Sequence, residues 1–279
     1  MRVKFWGVRG SIPAPGPETS RYGGNTACVE VNIEDEILVL DSGTGIRKLG
    51  LDLISRGLKP IVASIFISHT HWDHIQGFPF FTPLFIPGNT FRIYGGKTFS
   101  ATLEQALDGQ MQHPNFPVLL KQLASTLRFH NMREGDSLTI DLNPEVSNDP
   151  IHVTYERLFH PNGVFCYRID YQGKSVVYAT DNEPGGPEFD RRLVRIARNA
   201  DILIFDAQYT PEEYPTKKGW GHSTWLDGVK VAKRADVKQL VLFHHDPERT
   251  DAGIEEIVKQ AKKQFPATVA AYEGMELTL

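Results

Sequence analysis

The stretch SHTHWDH, residues Ser68 to His74, holds three histidines and one aspartate within seven residues. It follows the apolar run IVASIFIS, which predicts a buried β-strand, so the four side chains lie on a short loop at the end of a strand. Imidazole and carboxylate groups are the usual protein ligands of zinc and related divalent ions. Two ligands spaced two residues apart can face one ion, and the next pair can face a second ion. A loop rich in histidine by chance would not need this spacing, which predicts a two-metal site formed by His69, His71, Asp73 and His74.

The composition is that of a globular and weakly acidic protein. Hydrophobic residues make up 41% of the 279 residues and charged residues 23%, which allows a large core and gives no sign of disorder. The formal net charge of −4 argues against a site for long nucleic acid, which basic domains usually bind. The two cysteines, Cys28 and Cys166, lie in no CxxC pair and are expected to be buried apolar residues.

The sequence predicts neither a signal peptide nor a membrane span. Lys4 and Arg9 interrupt the apolar residues of the N-terminus, and no run approaches the roughly 18 apolar residues that a span needs. A soluble, cytoplasmic protein is therefore expected. Because no Pro-, Gly- or Ser-rich linker divides the chain, residues 1–279 are expected to form a single domain.

Strand-like apolar runs alternate with helical patterns in both halves of the chain, which predicts sheets covered by helices in an α/β (α+β layered) fold. Residues 98–111 and 117–127 predict helices because their apolar side chains recur three and four positions apart. Predicted strands repeatedly end in a side chain that can bind metal, which places a site at one edge of the sheets. Aspartate favours turns, but this preference does not explain three histidines. The strand-end residues are Asp41, His69, His160, Asp181, Asp206 and His244.

SHTHWDH resembles the signature of the metallo-β-lactamase fold, an αββα sandwich with a metal site along one edge. Similar landmarks follow in the same order in LFHPNG, YATDNE and LVLFHHDP, so the resemblance covers nearly the whole chain. Asp41, in LVLDSGTG, takes the place of the aspartate that supports the ligand loop from behind. The resemblance implies two divalent ions, zinc or alternatively manganese. The ligands that it implies are His69, His71 and His160 for one ion, Asp73, His74 and His244 for the other, and Asp181 as the bridge.

One further histidine, His245, is an alternative ligand, and three others lie outside the motifs that carry the resemblance. His245 directly follows His244, but the alternating faces of a strand let only one of the two face the metals, and His244 has the family's place. His113, in QMQHPNFP, is a candidate for contact with the substrate. His130 and His152 are expected to be structural or surface residues.

The ligand set narrows the many reactions that this fold hosts. Iron-dependent oxidoreductases of the fold typically carry glutamate at the position of His71, and the commonest β-lactamases carry cysteine at the position of Asp181. Neither activity is therefore expected. A lactone or thioester hydrolase stays open from the ligands alone.

The segment GHST, residues 221–224, resembles a segment of the tRNA 3′-end-processing endonucleases and their relatives. This resemblance implies that His222 donates a proton to the leaving oxygen of a phosphodiester and that Asp206 orients it. An alkoxide leaving group needs an acid, and a carboxylate against a histidine raises the pKa of the imidazole toward that role. Ser223 or Thr224 is also expected to cap the following helix, which explains neither His222 nor Asp206. A metal-bridging hydroxide would attack phosphorus, with His222, Asp206 and Asp73 as the catalytic residues.

The enzymes that process tRNA usually carry a long basic arm, often between the positions of His160 and Asp181. Here only 20 residues separate the two, and they predict two strands with a tight turn. The opening MRVKFWGVRGSIPAPGPETSRYGGNTACVEV instead resembles the bacterial cyclic-nucleotide phosphodiesterase-like branch, with residues 10–24 as a loop over the site. That branch implies a 3′,5′-cyclic nucleotide as substrate and, since its members are often dimers, a homodimer.

Three functions follow in order of preference. The first is a binuclear phosphodiesterase for a cyclic nucleotide, and the second is tRNA 3′ processing or cleavage of another cyclic sugar phosphate. The third is a metal-dependent protein that binds a nucleotide without turnover. Residues 208–221 predict a lid, or alternatively an ordinary surface loop, whose side chains could meet a base or a phosphate. The candidates for such contacts are Tyr209, Tyr214, Lys217, Lys218 and Trp220.

Overall fold

Two seven-stranded sheets form the centre of the computed structural model, which describes residues 1–96, 102–135 and 137–279. The strands of the first sheet are β1 (Arg2–Gly7), β2 (Cys28–Ile33), β3 (Glu36–Leu40), β4 (Val62–Ile67), β5 (Thr90–Gly96), β6 (Thr126–Met132) and β14 (Glu276–Thr278). The strands of the second sheet are β7 (Ser137–Ile140), β8 (Ile151–Leu158), β9 (Val164–Tyr171), β10 (Lys174–Ala179), β11 (Ile202–Asp206), β12 (Gln239–Phe243) and β13 (Thr268–Ala270). The order is β14-β1-β2-β3-β4-β5-β6 in the first sheet and β13-β12-β11-β10-β9-β8-β7 in the second.

Helices cover the outer face of each sheet, which confirms the predicted αββα sandwich. Apolar side chains of the two sheets, among them Phe66 and Phe243, form the core between them. Leu49 and Leu107 pack on the outside of the first sheet, and a third apolar cluster underlies the helices on the second. In the described part of the chain, no helix combines the length and apolarity needed to cross a membrane. The helices are α1 (Ile46–Ser55), α2 (Trp72–Ile75), α3 (Leu103–Gln110), α4 (Pro187–Ala197), α5 (Trp225–Ala235) and α6 (Asp251–Gln264).

The strands that lead into the candidate site are parallel within each sheet. In the first sheet β3, β4 and β5 are parallel neighbours, and in the second sheet β10, β11 and β12 are parallel neighbours. Parallel strands end at the same edge of a sheet, so the loops that follow them lie side by side. This arrangement positions polar side chains from both sheets along one edge of the sandwich.

One helix predicted from the sequence is wrong. Residues 117–127 form only a 3-10 turn at Leu120–Gln122, and Thr126 begins β6, which pairs in parallel with β5 from Thr90 onward. The hydrogen bonds and side-chain packing of that ladder outweigh the local helical pattern. The other predicted helix is α3, which begins after a capping box at Thr102, while its predicted residues 98–101 lie outside the described residues.

Candidate metal centre

Three of the predicted site residues lie just beyond strands in an uncommon backbone conformation. Asp41 follows β3, Asp181 lies two residues beyond β10, and His244 follows β12. Their φ angles are 62°, 48° and 58°, in the left-handed region that residues with side chains adopt rarely and often at functional sites. The left-handed turn at the end of each strand directs one polar side chain toward the shared edge.

The first group of potential metal ligands consists of His69, His71 and His160, whose donor atoms lie within 4.8 Å of one another. His71 Nδ1 and His160 Nε2 are 3.0 Å apart. Among the described residues, the buried Nε2 of His69 has no hydrogen-bond partner. A buried polar atom without a partner is costly, so this nitrogen fits a ligand of a bound cation.

The second group consists of Asp73, His74, Asp181 and His244. Its atoms face a common point, because His244 Nε2 lies 3.1 Å from Asp73 Oδ2 and 3.3 Å from His74 Nε2. Four buried nitrogen and oxygen donors from three segments of the chain, Asp73 and His74 sharing one of them, are the donor set that a divalent ion prefers. The residues of both groups therefore fit metal ions.

Asp181 is placed between the two groups. Its Oδ1 lies 3.1 Å from both His74 Nε2 and His244 Nε2, and its Oδ2 lies 3.7 Å from His69 Nε2. Burial alone would raise the pKa of Asp181, but the neighbouring imidazoles hold that pKa well below its usual range. One carboxylate oxygen thus faces each group, as a bridging ligand would.

Hydrogen bonds fix the protonated nitrogen of three imidazoles. His74 Nδ1 donates to Asp41 Oδ2 at 2.7 Å, His160 Nδ1 to the carbonyl of Gly221 at 2.8 Å, and His244 Nδ1 to Gln208 Oε1 at 3.0 Å. In a neutral ring the proton on Nδ1 leaves a lone pair on Nε2, and all three Nε2 atoms face the groups described above. Such outer hydrogen bonds are the usual means of orienting histidine ligands.

Asp41 contacts the ligand loop from behind, in the position that the resemblance implied. Its carboxylate accepts hydrogen bonds from Ser68 N at 2.7 Å, Ser68 Oγ at 2.8 Å and Tyr178 Oη at 2.8 Å, besides the one from His74. All four partners are buried. Asp41 therefore joins the loop after β4 to the opposite sheet through Tyr178.

Burial keeps the histidines of the first group neutral. It lowers the pKa of His160 to about 4 and also lowers the pKa values of His69 and His71. His245, the alternative to His244, points away from the groups because its Nε2 donates to the carbonyl of Ala271 at 2.9 Å.

His222 and Asp206 form a buried pair beside the second group. His222 Nδ1 donates to Asp206 Oδ2 at 2.9 Å, and the ring lies 5.0 Å from the ring of His244 at an angle of 20°. Burial alone would lower the pKa of His222, but the charge and hydrogen bond of Asp206 raise it to about 9. This imidazole is therefore protonated near neutral pH. It can release a proton at the edge of the site.

Two contacts with the site come from residues that the sequence did not single out. The backbone N–H of Ser11 donates to Asp73 Oδ2 at 2.7 Å, and Gln208 accepts from His244. Gly10 approaches His244 so closely that an added Cβ would lie 2.4 Å from its ring. The predicted loop over residues 10–24 thus reaches the second group through its first two residues.

Residues 208–221 are anchored, which argues against the predicted lid. Glu183 accepts hydrogen bonds from Tyr214 Oη at 2.8 Å, Gly219 N at 2.6 Å and Gly221 N at 2.9 Å. The position of Glu183, two residues after Asp181, is the only sequence signal of this role.

The candidate substrate contacts differ in exposure. Tyr209 is only 2% exposed, and its ring packs edge-on against His222 at 5.8 Å. Trp220 is 59% exposed and lies under the amine of Lys217, 4.2 Å from the ring centroid. Lys218 and His113 are exposed.

Comparisons with known proteins agree with this architecture. Ribonuclease Z of Thermoplasma acidophilum is 25% identical over 313 residues, covering 99% of this chain and 95% of the relative. The solved structure of the metallo-β-lactamase fold protein YhfI from Bacillus subtilis has a TM-score of 0.71 at 21% identity and covers 99% of this chain and 98% of that one. The short form of human tRNase Z has a TM-score of 0.68 at 22% identity, covering 100% of this chain and 99% of that one.

The family model described as the beta-lactamase superfamily domain matches residues 38–245. That range runs from within β3 to just beyond β12 and includes every residue of the two ligand groups. The chain therefore belongs to the β-lactamase superfamily, and it is a metal-dependent hydrolase of the metallo-β-lactamase fold.

Proposed function

We propose that this hydrolase is a binuclear metal-dependent phosphodiesterase and that its substrate is a 3′,5′-cyclic nucleotide. The buried pair of His222 and Asp206 is the observation that carries the proposal. His222 Nδ1 lies 3.8 Å from Asp181 Oδ2, so the imidazole adjoins the carboxylate between the two ligand groups. A phosphodiester bound across those groups would present its leaving oxygen to this acid. Because an alkoxide leaves poorly without a proton, the pair suits hydrolysis of a phosphodiester.

The residues of the site have separate roles in this proposal. When bound, two divalent ions, zinc or alternatively manganese, would supply an activated water and positive charge against the phosphate oxygens. Asp73 would be a ligand of the second ion, and the hydrogen bond from the N–H of Ser11 would hold its carboxylate in place. Asp206 would keep His222 protonated and would fix the orientation of its ring. The first ion would be held by His69, His71 and His160, the second by Asp73, His74 and His244, and Asp181 would bridge them.

The small substrate is favoured by the short connection between His160 and Asp181. Residues 161–180, all of them described, contain the hairpin of β9 and β10 with a two-residue turn at Gln172 and Gly173, where φ is 47° and 73°. A hairpin of this length provides no arm to grip a large RNA. The net charge of −4 likewise provides no general attraction for a polyanion.

RNA cleavage is the second candidate, because the similarity to ribonuclease Z of Thermoplasma acidophilum extends over 99% of this chain. The same ligand groups and the same acid would serve an RNA phosphodiester. The two candidates differ in what surrounds the site rather than in the chemistry within it.

The test compares two leaving groups in metal-loaded wild-type and His222→Ala proteins. A cyclic nucleotide expels a ribose alkoxide, whereas bis(p-nitrophenyl) phosphate expels a phenolate that needs little protonation. We expect His222→Ala to keep its metal content and to hydrolyse the cyclic nucleotide about 10²- to 10⁴-fold more slowly. Hydrolysis of the aryl diester should change far less. His152→Ala, an exposed histidine, is the matched control.

Several outcomes would contradict the proposal. Equal losses of metal and of both activities would show that His222 is structural rather than an acid. Cleavage of a precursor tRNA without turnover of cyclic nucleotides would select the second candidate. Hydrolysis of a lactone alone would refute both candidates.

A further inference from the structure

Trp72 is a large exposed side chain in the middle of the ligand loop. It lies between His71 and Asp73, which belong to different ligand groups, and it is 79% exposed. An indole in water exposes a large apolar surface without any gain in packing. The fold does not need it for its core, so its place in the loop requires another explanation.

Two other strongly exposed aromatic side chains have partners. Phe80 packs edge-on against Phe116 at 5.5 Å, and the ring of Trp220 is covered by Lys217 at 4.2 Å. Within the part of the chain that the structure describes, the indole of Trp72 pairs with no other ring or cation. Its faces are therefore available to a planar ligand.

We propose that Trp72 binds the substrate by stacking on its nucleobase, an inference that rests on the proposed function. His71 Nδ1 faces His160, whereas Asp73 Oδ2 faces His244, so the backbone of Trp72 crosses from one ligand group to the other. A phosphate held across both groups has its ribose and base outside the buried donors, on the exposed side of this loop. Indole stacks on every base because every base has a π face.

A protein partner is a less suitable occupant of this surface. Such a partner on Trp72 would also lie against the adjacent, partly exposed His71 and would obstruct the approach to the ligand groups. A nucleobase is small enough to contact the indole while its own phosphate occupies that approach.

The experiment compares 3′,5′-cyclic AMP with the corresponding abasic ribose 3′,5′-cyclic phosphate, which has the same phosphodiester and no base. For Trp72→Ala we expect the KM for cyclic AMP to rise roughly 5- to 150-fold, the usual range for loss of one stacked base. Its kcat, its metal content and its kinetics with the abasic compound should stay unchanged. Equilibrium binding of adenosine 5′-monophosphate to the metal-loaded protein should weaken by a similar factor.

Two further variants sharpen the comparison. Trp72→Phe keeps a ring and should retain most of the affinity. Phe85→Ala removes an exposed aromatic side chain from a segment without predicted ligands and should change neither substrate's KM.

The outcomes separate this inference from the proposed function. If Trp72→Ala impairs both cyclic compounds equally, stacking is refuted while the phosphodiesterase stands. If the variant keeps its kinetics but changes its oligomeric state, Trp72 belongs to an interface between copies and stacking is again refuted. If the wild-type protein turns over neither compound, the proposed function fails and the inference fails with it.

Discussion

Replacement of Asp206 with asparagine tests the acid directly, because it keeps the shape of the side chain and removes its charge. The carboxylate of Asp206 lies 2.9 Å from His222 Nδ1 and raises the pKa of that imidazole to about 9. Without the charge, burial is left as the dominant influence, and burial lowers the pKa of His222. The pKa in the variant should therefore be no higher than the ordinary histidine value of about 6.5.

The size of the effect follows from these two pKa values. At pH 8, about 90% of the imidazole is protonated for a pKa of about 9, but only about 3% for a pKa of about 6.5. With the variant pKa at that upper bound, a rate that requires the protonated form should fall about 30-fold at pH 8 and less than about twofold at pH 6, and a lower pKa would deepen both losses. The sign is fixed by the role of His222 as an acid, because activity is lost as the pH rises through its pKa.

The measurement is the ratio of variant to wild-type kcat/KM for a cyclic nucleotide between pH 6 and pH 8. A ratio removes ionisations that both proteins share, such as that of the attacking water. Asp170→Asn, a partly exposed carboxylate that pairs with Arg168, is the matched control. A ratio that is low but independent of pH would refute the reasoning, since it would assign Asp206 to positioning alone.

Three further substitutions have defined consequences. Asp41→Ala removes the acceptor of four hydrogen bonds, including that of His74, so metal affinity should fall about 10- to 100-fold in a metal titration. Gly10→Ala places a Cβ 2.4 Å from the ring of His244 and should lower the metal content of purified protein from two ions to one. Glu183→Gln replaces one of the two acceptor oxygens with an NH₂ group, which cannot accept a hydrogen bond from a backbone N–H. The segment should be held less firmly, so limited proteolysis within residues 208–221 should become faster.

One control variant and two contradicting outcomes check these predictions. Gly109→Ala lies in α3, where an added Cβ meets nothing within 4 Å, and should leave the metal content at two. Unchanged metal affinity in Asp41→Ala would show that His74 needs no support. Uniform acceleration of proteolysis over the whole chain would mean that Glu183 stabilises the fold rather than one segment.

Much of the candidate site could be predicted from the sequence because the ends of its strands could be predicted. Apolar runs before Asp41, Asp181 and His244 predict where each chain segment leaves its sheet, and parallel neighbours leave at the same edge. The structure brings those residues together with the SHTHWDH loop. Periodicity also predicted the layers of the fold, because each buried strand and helix carries its own apolar pattern.

Other parts of the site and fold could not be predicted from the sequence, for physical reasons. The N–H of Ser11 and the carbonyl of Gly221 are backbone groups, which every residue of their kind has. The identity of a residue therefore does not predict the direction of such a group. The role of Gln208 depends on which way one amide side chain turns. At Thr126 the local pattern favoured a helix, while the pairing partner that makes a strand lies more than thirty residues earlier in the sequence.

The left-handed backbone at Asp181 and His244 sets stability and activity against each other at the same two positions. Glycine would relax the main chain at each of them, yet it would remove the carboxylate or imidazole on which the site depends. Selection for heat resistance alone should therefore enrich glycine there and yield sturdier, inactive proteins. Selection for turnover should keep the carboxylate and imidazole side chains in spite of the backbone strain. A mutational library scored once for stability and once for activity would therefore locate the metal centre without any knowledge of its chemistry.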